Sequence, residues 1–265
     1  LQKQSRILPA IDMTIHEIIN NLHQSQTIET ENGRLPLHSS ITADEGVFIE
    51  SLIISHSCKS TIEIGCAYGI SSLHISRALQ SKMQEGAHHT IIDPFQHTQW
   101  QGIGIKHLQQ AAVSNYTFIE KSSEQALPQL LEYGKQYDFA LIDGWHTFDQ
   151  VMLDFYYLNR MLKVGGVIVF DDMWMPSVRK ALAYILQYPA YRVEDALTYA
   201  NIKQSIFSKL LKNVLYGSIK NSSLLQKVLP ERLVATAKHR FDLYGMMAIQ
   251  KVSKDERGWD WFPKY

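Results

Sequence analysis

Along the first sixty residues, apolar side chains recur at helical spacing: Ile15, Ile18, Ile19 and Leu22 share one face of a helix predicted over residues 11–22. The polar segment 24–34 that follows reads as a loop. A second helix is predicted over residues 43–57, with Val47, Ile49, Leu52 and Ile53 buried. From Thr61 the period changes. Short β-rich runs at 61–65, 90–93, 116–120, 139–143 and 167–171 alternate with amphipathic stretches that end near Met83, Leu108, Leu131, Leu162 and Gln187. Continuous apolar strands alternating with helices predict an α/β protein whose parallel sheet is covered on both faces.

Residues 201–240 break the alternation. Ile202, Ile206, Leu210 and Val214 return to helical spacing, with Phe207, Leu211 and Leu215 beside them, so the stretch reads as an amphipathic helix followed by a second one. A last strand over 244–252 then rejoins the sheet, and an aromatic tail with Trp259, Trp261, Phe262 and Tyr265 follows. The expected organisation is a helical cover (1–58), a core (59–200), a helical insert (201–240), and the last strand with its tail (241–265).

Charge sharpens this division. The 265 residues carry 26 Lys and Arg against 26 Asp and Glu. Zero net charge argues against a general nucleic-acid binder, because neutralising phosphates needs a basic excess. The balance hides an asymmetry: residues 201–240 hold eight basic residues against Glu231, a net +7 that leaves −7 on the remainder. The insert admits three readings: a lid over a site, a surface for anionic lipid, or a face that packs on a second copy and makes a homodimer. Apolar residues at 45% and charged ones at 20% place the chain among folded proteins with a core. Cys58 and Cys66 build no disulfide framework. No run approaches the roughly 18 apolar residues of a transmembrane segment. Asp12, His16 and Glu17 interrupt any signal-like apolar region after Lys3 and Arg6. A cytoplasmic setting is expected.

The sharpest local signal is Thr61-Ile-Glu-Ile-Gly-Cys-Ala-Tyr-Gly-Ile-Ser71, a buried strand that runs into Gly65, then Gly69, then a helix start. Ligands of doubly wound sheets bind beyond the carboxyl ends of the strands, and glycines there let a ligand approach the backbone. The spacing Gly-x-x-x-Gly differs from the Gly-x-Gly-x-x-Gly that seats a pyrophosphate. Asp93, at the end of the next strand, suits the ribose hydroxyls of an adenosine-bearing cofactor. The plainer reading makes Gly65 a turn and Asp93 a helix cap.

The order Glu63-x-Gly65-x-x-x-Gly69-x-Ser71, Asp93, Tyr137-Asp-Phe-Ala-Leu-Ile-Asp-Gly144 and Leu162-Lys-Val-Gly-Gly-Val-Ile-Val-Phe-Asp-Asp172 resembles class I S-adenosylmethionine-dependent methyltransferases over about residues 40–190 plus the last strand. That resemblance implies a Rossmann-like, doubly wound, mostly parallel seven-stranded sheet with helices on both faces. It implies that Glu63, Gly65 and Ser71, with Ala67, Tyr68 and Gly69 in the same loop, hold the methionine end of S-adenosylmethionine (SAM). Asp93 would bind the ribose, and Ser122 or Ser123 would lie near the adenine.

A narrower resemblance concerns Asp143-Gly-Trp-His146 and the pair Asp171-Asp172, which look like the metal site of catechol and caffeoyl-coenzyme A O-methyltransferases and of natural-product sugar O-methyltransferases. It implies a divalent cation, Mg²⁺, held by Asp143, Asp171 and Asp172, with Asp143 also beside the cofactor. Adjacent parallel strands bring three carboxylates to one sheet edge, and a hard cation neutralises them. His146 takes the position of a catalytic base, and Trp145 that of an aromatic stacked on adenine. Gly144 and Asp172 depart from the catechol pattern, the second by adding charge. The other ten histidines show no paired spacing for zinc; His88 and His89 precede a strand, and most histidines are expected at the surface. Trp174 and Met175 are placed to touch an acceptor. These implications converge on a metal-assisted O-methyltransferase for a small hydroxyl-bearing molecule: a vicinal diol, sugar or phenol. A metal-independent N-methyltransferase, a nicotinamide-nucleotide oxidoreductase and a non-catalytic cofactor-binding protein stand as alternatives.

Overall fold

A computed structural model describes residues 13–81, 85–198, 215–229, 234 and 244–262. The first two helices among the described residues are α1 (Ile15–Ser25) and α2 (Ala43–Ser55), each started by a capping box in which Thr14 pairs with Glu17 and Thr42 with Glu45. The alternating part follows: β3 (Ser60–Ile64), α3 (Ile70–Ser81), β4 (His88–Ile92), α4 (Ile103–Gln110), β5 (Tyr116–Ile119), α5 (Ser123–Glu132), β6 (Tyr137–Ile142), α6 (Phe148–Met161), β7 (Leu162–Phe170) and α7 (Pro176–Ile185). Two further strands, β8 (Tyr191–Thr198) and β9 (Tyr244–Lys251), complete the sheet.

The seven strands lie in the order β5-β4-β3-β6-β7-β9-β8, with β9 antiparallel to both its neighbours and the remaining pairings parallel. The fold is therefore the expected Rossmann-like, doubly wound, mostly parallel sheet. Its central strands are mostly apolar because both faces are covered. Ile49, Leu73 and Ile75 pack with Ile91, Phe139 and Val169 on one face, while Leu127, Phe155 and Leu182 pack with Ile62, Ile168 and Phe170 on the other. Strand order reverses between β3 and β6. That switch point, at the carboxyl ends of the strands, is where such sheets bind ligands.

Several expectations change. The segment read as a loop at 24–34 instead begins a hairpin of β1 (Thr27–Thr30) and β2 (Gly33–Pro36), paired from Thr27↔Pro36 to Thr30↔Gly33. Its single buried anchor, Ile28, is too little apolar pattern to announce a strand. Strand β8 carries Arg192, Glu194 and Asp195 among its apolar residues, the polar character of a sheet edge. Val47 is exposed, and Phe48 takes the core position one residue later. His88 and His89 lie within β4, not before it, and His89 is fully buried, its Nδ1 2.9 Å from Thr61 Oγ1. The expected insert 201–240 falls largely outside the described residues; of its described part, residues 215–221 and Ser223–Val228 are helical. Of the aromatic tail, Trp261 packs on Tyr188, with ring centroids 5.2 Å apart, while Trp259 is exposed. Tyr265 lies outside the described residues. Among the described residues no helix is long and apolar enough to cross a membrane.

Candidate active site

A cavity of about 1130 Å³ opens at the carboxyl ends of β3, β4, β6 and β7. The sheet ladder itself arranges its floor. The amide of Gly65 donates to Ile92, that of Asp143 to Ile64, and that of Asp171 to Ile142, so the residues that follow adjacent strands stand side by side. Gly65 is required at this junction: its φ is +94°, and a Cβ there would run into the Asp143 carbonyl. The first turn of α3 faces the cavity through Ile70 and Ser71, presenting a helix N-terminus suited to a carboxylate.

Gly65, Ala67, Tyr68, Ser71, Asp93, Ser122, Ser123, Asp143, Trp145, His146, Asp171 and Asp172 all line this space. Glu63 and Gly69 do not. Glu63 is fully buried, bonded to Ser72 and 3.2 Å from His89 Nε2, and Gly69 packs against the Gly104 backbone. Asp93 is almost fully buried, and its carboxylate accepts from the amides of Cys66 (3.0 Å), Ala67 (2.8 Å) and Phe95 (2.7 Å) and from Gln96 Nε2 (3.3 Å). Those four donors match the acceptor capacity of a carboxylate, so Asp93 ties the β3 and β4 loops together as well as facing the cavity. Ser123 accepts from Gln150 at 2.8 Å. Trp145 is exposed at the rim, Met175 lines the cavity, and the Trp174 indole donates to Asp172 at 2.6 Å.

The aspartates are drawn together at the mouth. Asp172 has φ +52°, a left-handed turn that Asp tolerates, and its Oδ2 lies 3.2 Å from His146 Nε2. Asp143 Oδ1 lies 3.4 Å from the same nitrogen. One ligand atom from each of Asp143, His146 and Asp172 falls within 4.8 Å of the others. Asp171 is buried and spends one oxygen on the Asp172 amide at 2.7 Å. Burial and then the Asp172 charge push the Asp143 carboxyl well up, with Glu63 and Glu45 adding to the effect. Burial and then Asp143 do the same to Asp171. The loop is fixed from behind by the Ser177 hydroxyl, which donates to the His146 carbonyl at 2.5 Å.

Two features were not read from the sequence. Glu45, the capping-box acid of α2, lines the cavity, and its charge reaches Asp143 and Asp171. The Thr42-x-x-Glu45 spacing signals a helix start, and nothing in it says that the carboxylate also faces a ligand. Tyr68 and Trp100, with His38, form an aromatic corner, the first two rings 5.1 Å apart. The wall as a whole has one sign. Glu45, Asp93, Glu124, Asp143, Asp171 and Asp172 line it, and no Lys or Arg does so among the described residues.

Comparison with known proteins shows what this chain is similar to. Residues 62–173 match the model of a family described as a methyltransferase domain. A flavonoid 3',5'-methyltransferase of Vitis vinifera is 28% identical over 150 residues, 53% of this chain and 59% of that protein. A caffeoyl-CoA O-methyltransferase of Petunia hybrida is 31% identical over 146 residues, 52% and 55% of the two. The chain thus spans less than two thirds of these relatives' lengths. The fold is shared with an O-methyltransferase from Bacillus cereus solved in complex with SAH (TM-score 0.58, 15% identity, 92% of this chain and 94% of that one). It is shared also with an O-methyltransferase of tomaymycin synthesis from Streptomyces achromogenes, in complex with SAM (TM-score 0.59, 14% identity, 96% and 92%). Motif order, sheet order and the matched segment agree: residues 62–173 are similar to a methyltransferase domain, on a fold shared with solved O-methyltransferases.

Proposed function

We propose that the protein transfers a methyl group from SAM to a hydroxyl of a small molecule, with a divalent cation at the mouth of the cavity. The observation that carries this reading is the charge of the wall: six acids and no Lys or Arg among its described residues. SAM bears a sulfonium and an ammonium group, and an acidic low-dielectric wall favours both. The pyrophosphate of a nicotinamide nucleotide would face the same six carboxylates, and this disfavours the oxidoreductase alternative. Ser71 and the first turn of α3 are proposed for the carboxylate end of the methionine, Gly65 for close passage of the ligand over the backbone, and Trp145 with Ser122 and Ser123 for the adenine. Asp93 serves the ribose at the expense of its longest contact, from Gln96.

The residues also fit a cation. Asp143 and Asp172 converge on one point, and burial together with neighbouring carboxylates raises the carboxyls of Asp143 and Asp171, which a positive charge would let ionise. A divalent cation held there supplies Lewis acidity to an acceptor oxygen. The chain's part is to fix that oxygen beside the cofactor, between Met175 and the aspartates. The relatives, a flavonoid and a caffeoyl-CoA methyltransferase, support a phenolic or vicinal-diol acceptor. Methyl transfer from labelled SAM to a catechol or a cis-diol should be lost with chelator, restored by divalent cation, and absent in Asp143→Asn. Turnover indifferent to chelator would instead favour the metal-independent N-methyltransferase.

A further inference from the structure

We propose that His146 is a ligand of the cation rather than the base that takes the acceptor's proton, and that it tilts the site from Mg²⁺ toward a first-row transition ion such as Mn²⁺. The inference rests on the metal-assisted reading above and assigns the site's third donor. His146 Nε2 is buried and has no hydrogen-bond partner among the described residues, although two carboxylate oxygens stand 3.2 and 3.4 Å away. A base would need that nitrogen turned to the acceptor. Instead it stands between Asp143 and Asp172, within ion-pair range of both yet aligned for a hydrogen bond with neither. They are the right separations for neighbouring donors on one ion: ligands about 2.1 Å from a common centre, at roughly 90–110° to one another, stand about 3.0–3.4 Å apart.

Asp171, the residue that the pattern of the sequence put in this place, is otherwise employed. Its Oδ1 accepts from the Asp172 amide at 2.7 Å, and it is not in the group whose donor atoms converge. The donor set is thus two carboxylates and one imidazole instead of three carboxylates. Oxygen-only sites suit Mg²⁺, whereas an imidazole nitrogen favours Mn²⁺ and the later divalent ions in their usual order of affinity. The short loop fixes the geometry: Thr147 begins α6 immediately after His146, and Ser177 pins the His146 carbonyl.

The test uses the full chain freed of cations and titrated by calorimetry with Mn²⁺ and with Mg²⁺; the Mn²⁺ complex is then examined by electron spin-echo spectroscopy for coupling to nitrogen. One Mn²⁺ site is expected, about tenfold or more tighter than the Mg²⁺ site, with nitrogen coupling that disappears in His146→Gln as Mn²⁺ affinity falls at least about tenfold. SAH binding by the same variant reports that it is folded. Mn²⁺ bound without nitrogen coupling, or bound equally by folded His146→Gln, overturns the role of His146 while leaving the cation in place. A folded wild-type chain that binds neither ion overturns it together with the metal reading beneath it.

Discussion

Asp154 shows how far a single side chain can be displaced from its solution behaviour without belonging to the catalytic group. It is fully buried on α6, one oxygen 3.4 Å from Gln150 Nε2 and the other without a hydrogen-bond partner among the described residues. Burial raises its carboxyl to about 7, against the lowering effect of Ser123 and Gln150. The folded state therefore holds a proton that the unfolded state releases near pH 4. Stability from that proton is complete below about pH 4, declines as pH rises toward 7, and is level above, a span of about 2–4 kcal/mol. In Asp154→Asn, denaturant unfolding between pH 5 and 8 should lose most of this slope. A variant that keeps the wild-type slope would show that the pH dependence comes from another group. Asp154 contacts Gln150, which contacts Ser123 at the cavity wall, so these side chains join the proton to the proposed adenine end.

At the scale of elements, the critical junction is where the loops after β3 and β6 cross. Gly65→Ala places a Cβ against the Asp143 carbonyl in a backbone conformation that side chains avoid. Strain and overpacking together should lower stability by about 2–4 kcal/mol. SAH binding should fall with it, because the same shift moves Asp143. An unchanged unfolding midpoint and unchanged SAH affinity in this variant would contradict the packing described. The elements around the junction were legible in the sequence because the central strands are continuous apolar runs and the helices between them are amphipathic. What escaped was peripheral. The β1–β2 hairpin has one buried side chain, and β8 is an edge strand interrupted by Arg192, Glu194 and Asp195, so neither carries a strong period. In the site, the positions of Asp143, Asp171 and Asp172 at strand ends were readable, yet which of them come together with His146 was not. Asp172 sits in a left-handed turn, which local spacing does not encode.

Across the whole molecule, charge is distributed with more purpose than its zero sum suggests. The sheet gathers six acids round one cavity at its switch point, and residues 201–240 carry a net +7 elsewhere in the chain. An acidic cavity of about 1130 Å³ is large enough for a nucleoside-bearing cofactor and an acceptor together. Its sign selects for a cofactor that is positive where it reacts. This links fold and proposed chemistry: the doubly wound topology supplies the place, the strand-end aspartates supply the field, and the family match at 62–173 agrees with both. The most direct measurement is a calorimetric titration of the full chain with SAH and, in parallel, with NADH. The account predicts one-to-one binding of SAH and no binding of NADH; binding of NADH with no affinity for SAH or SAM would contradict it.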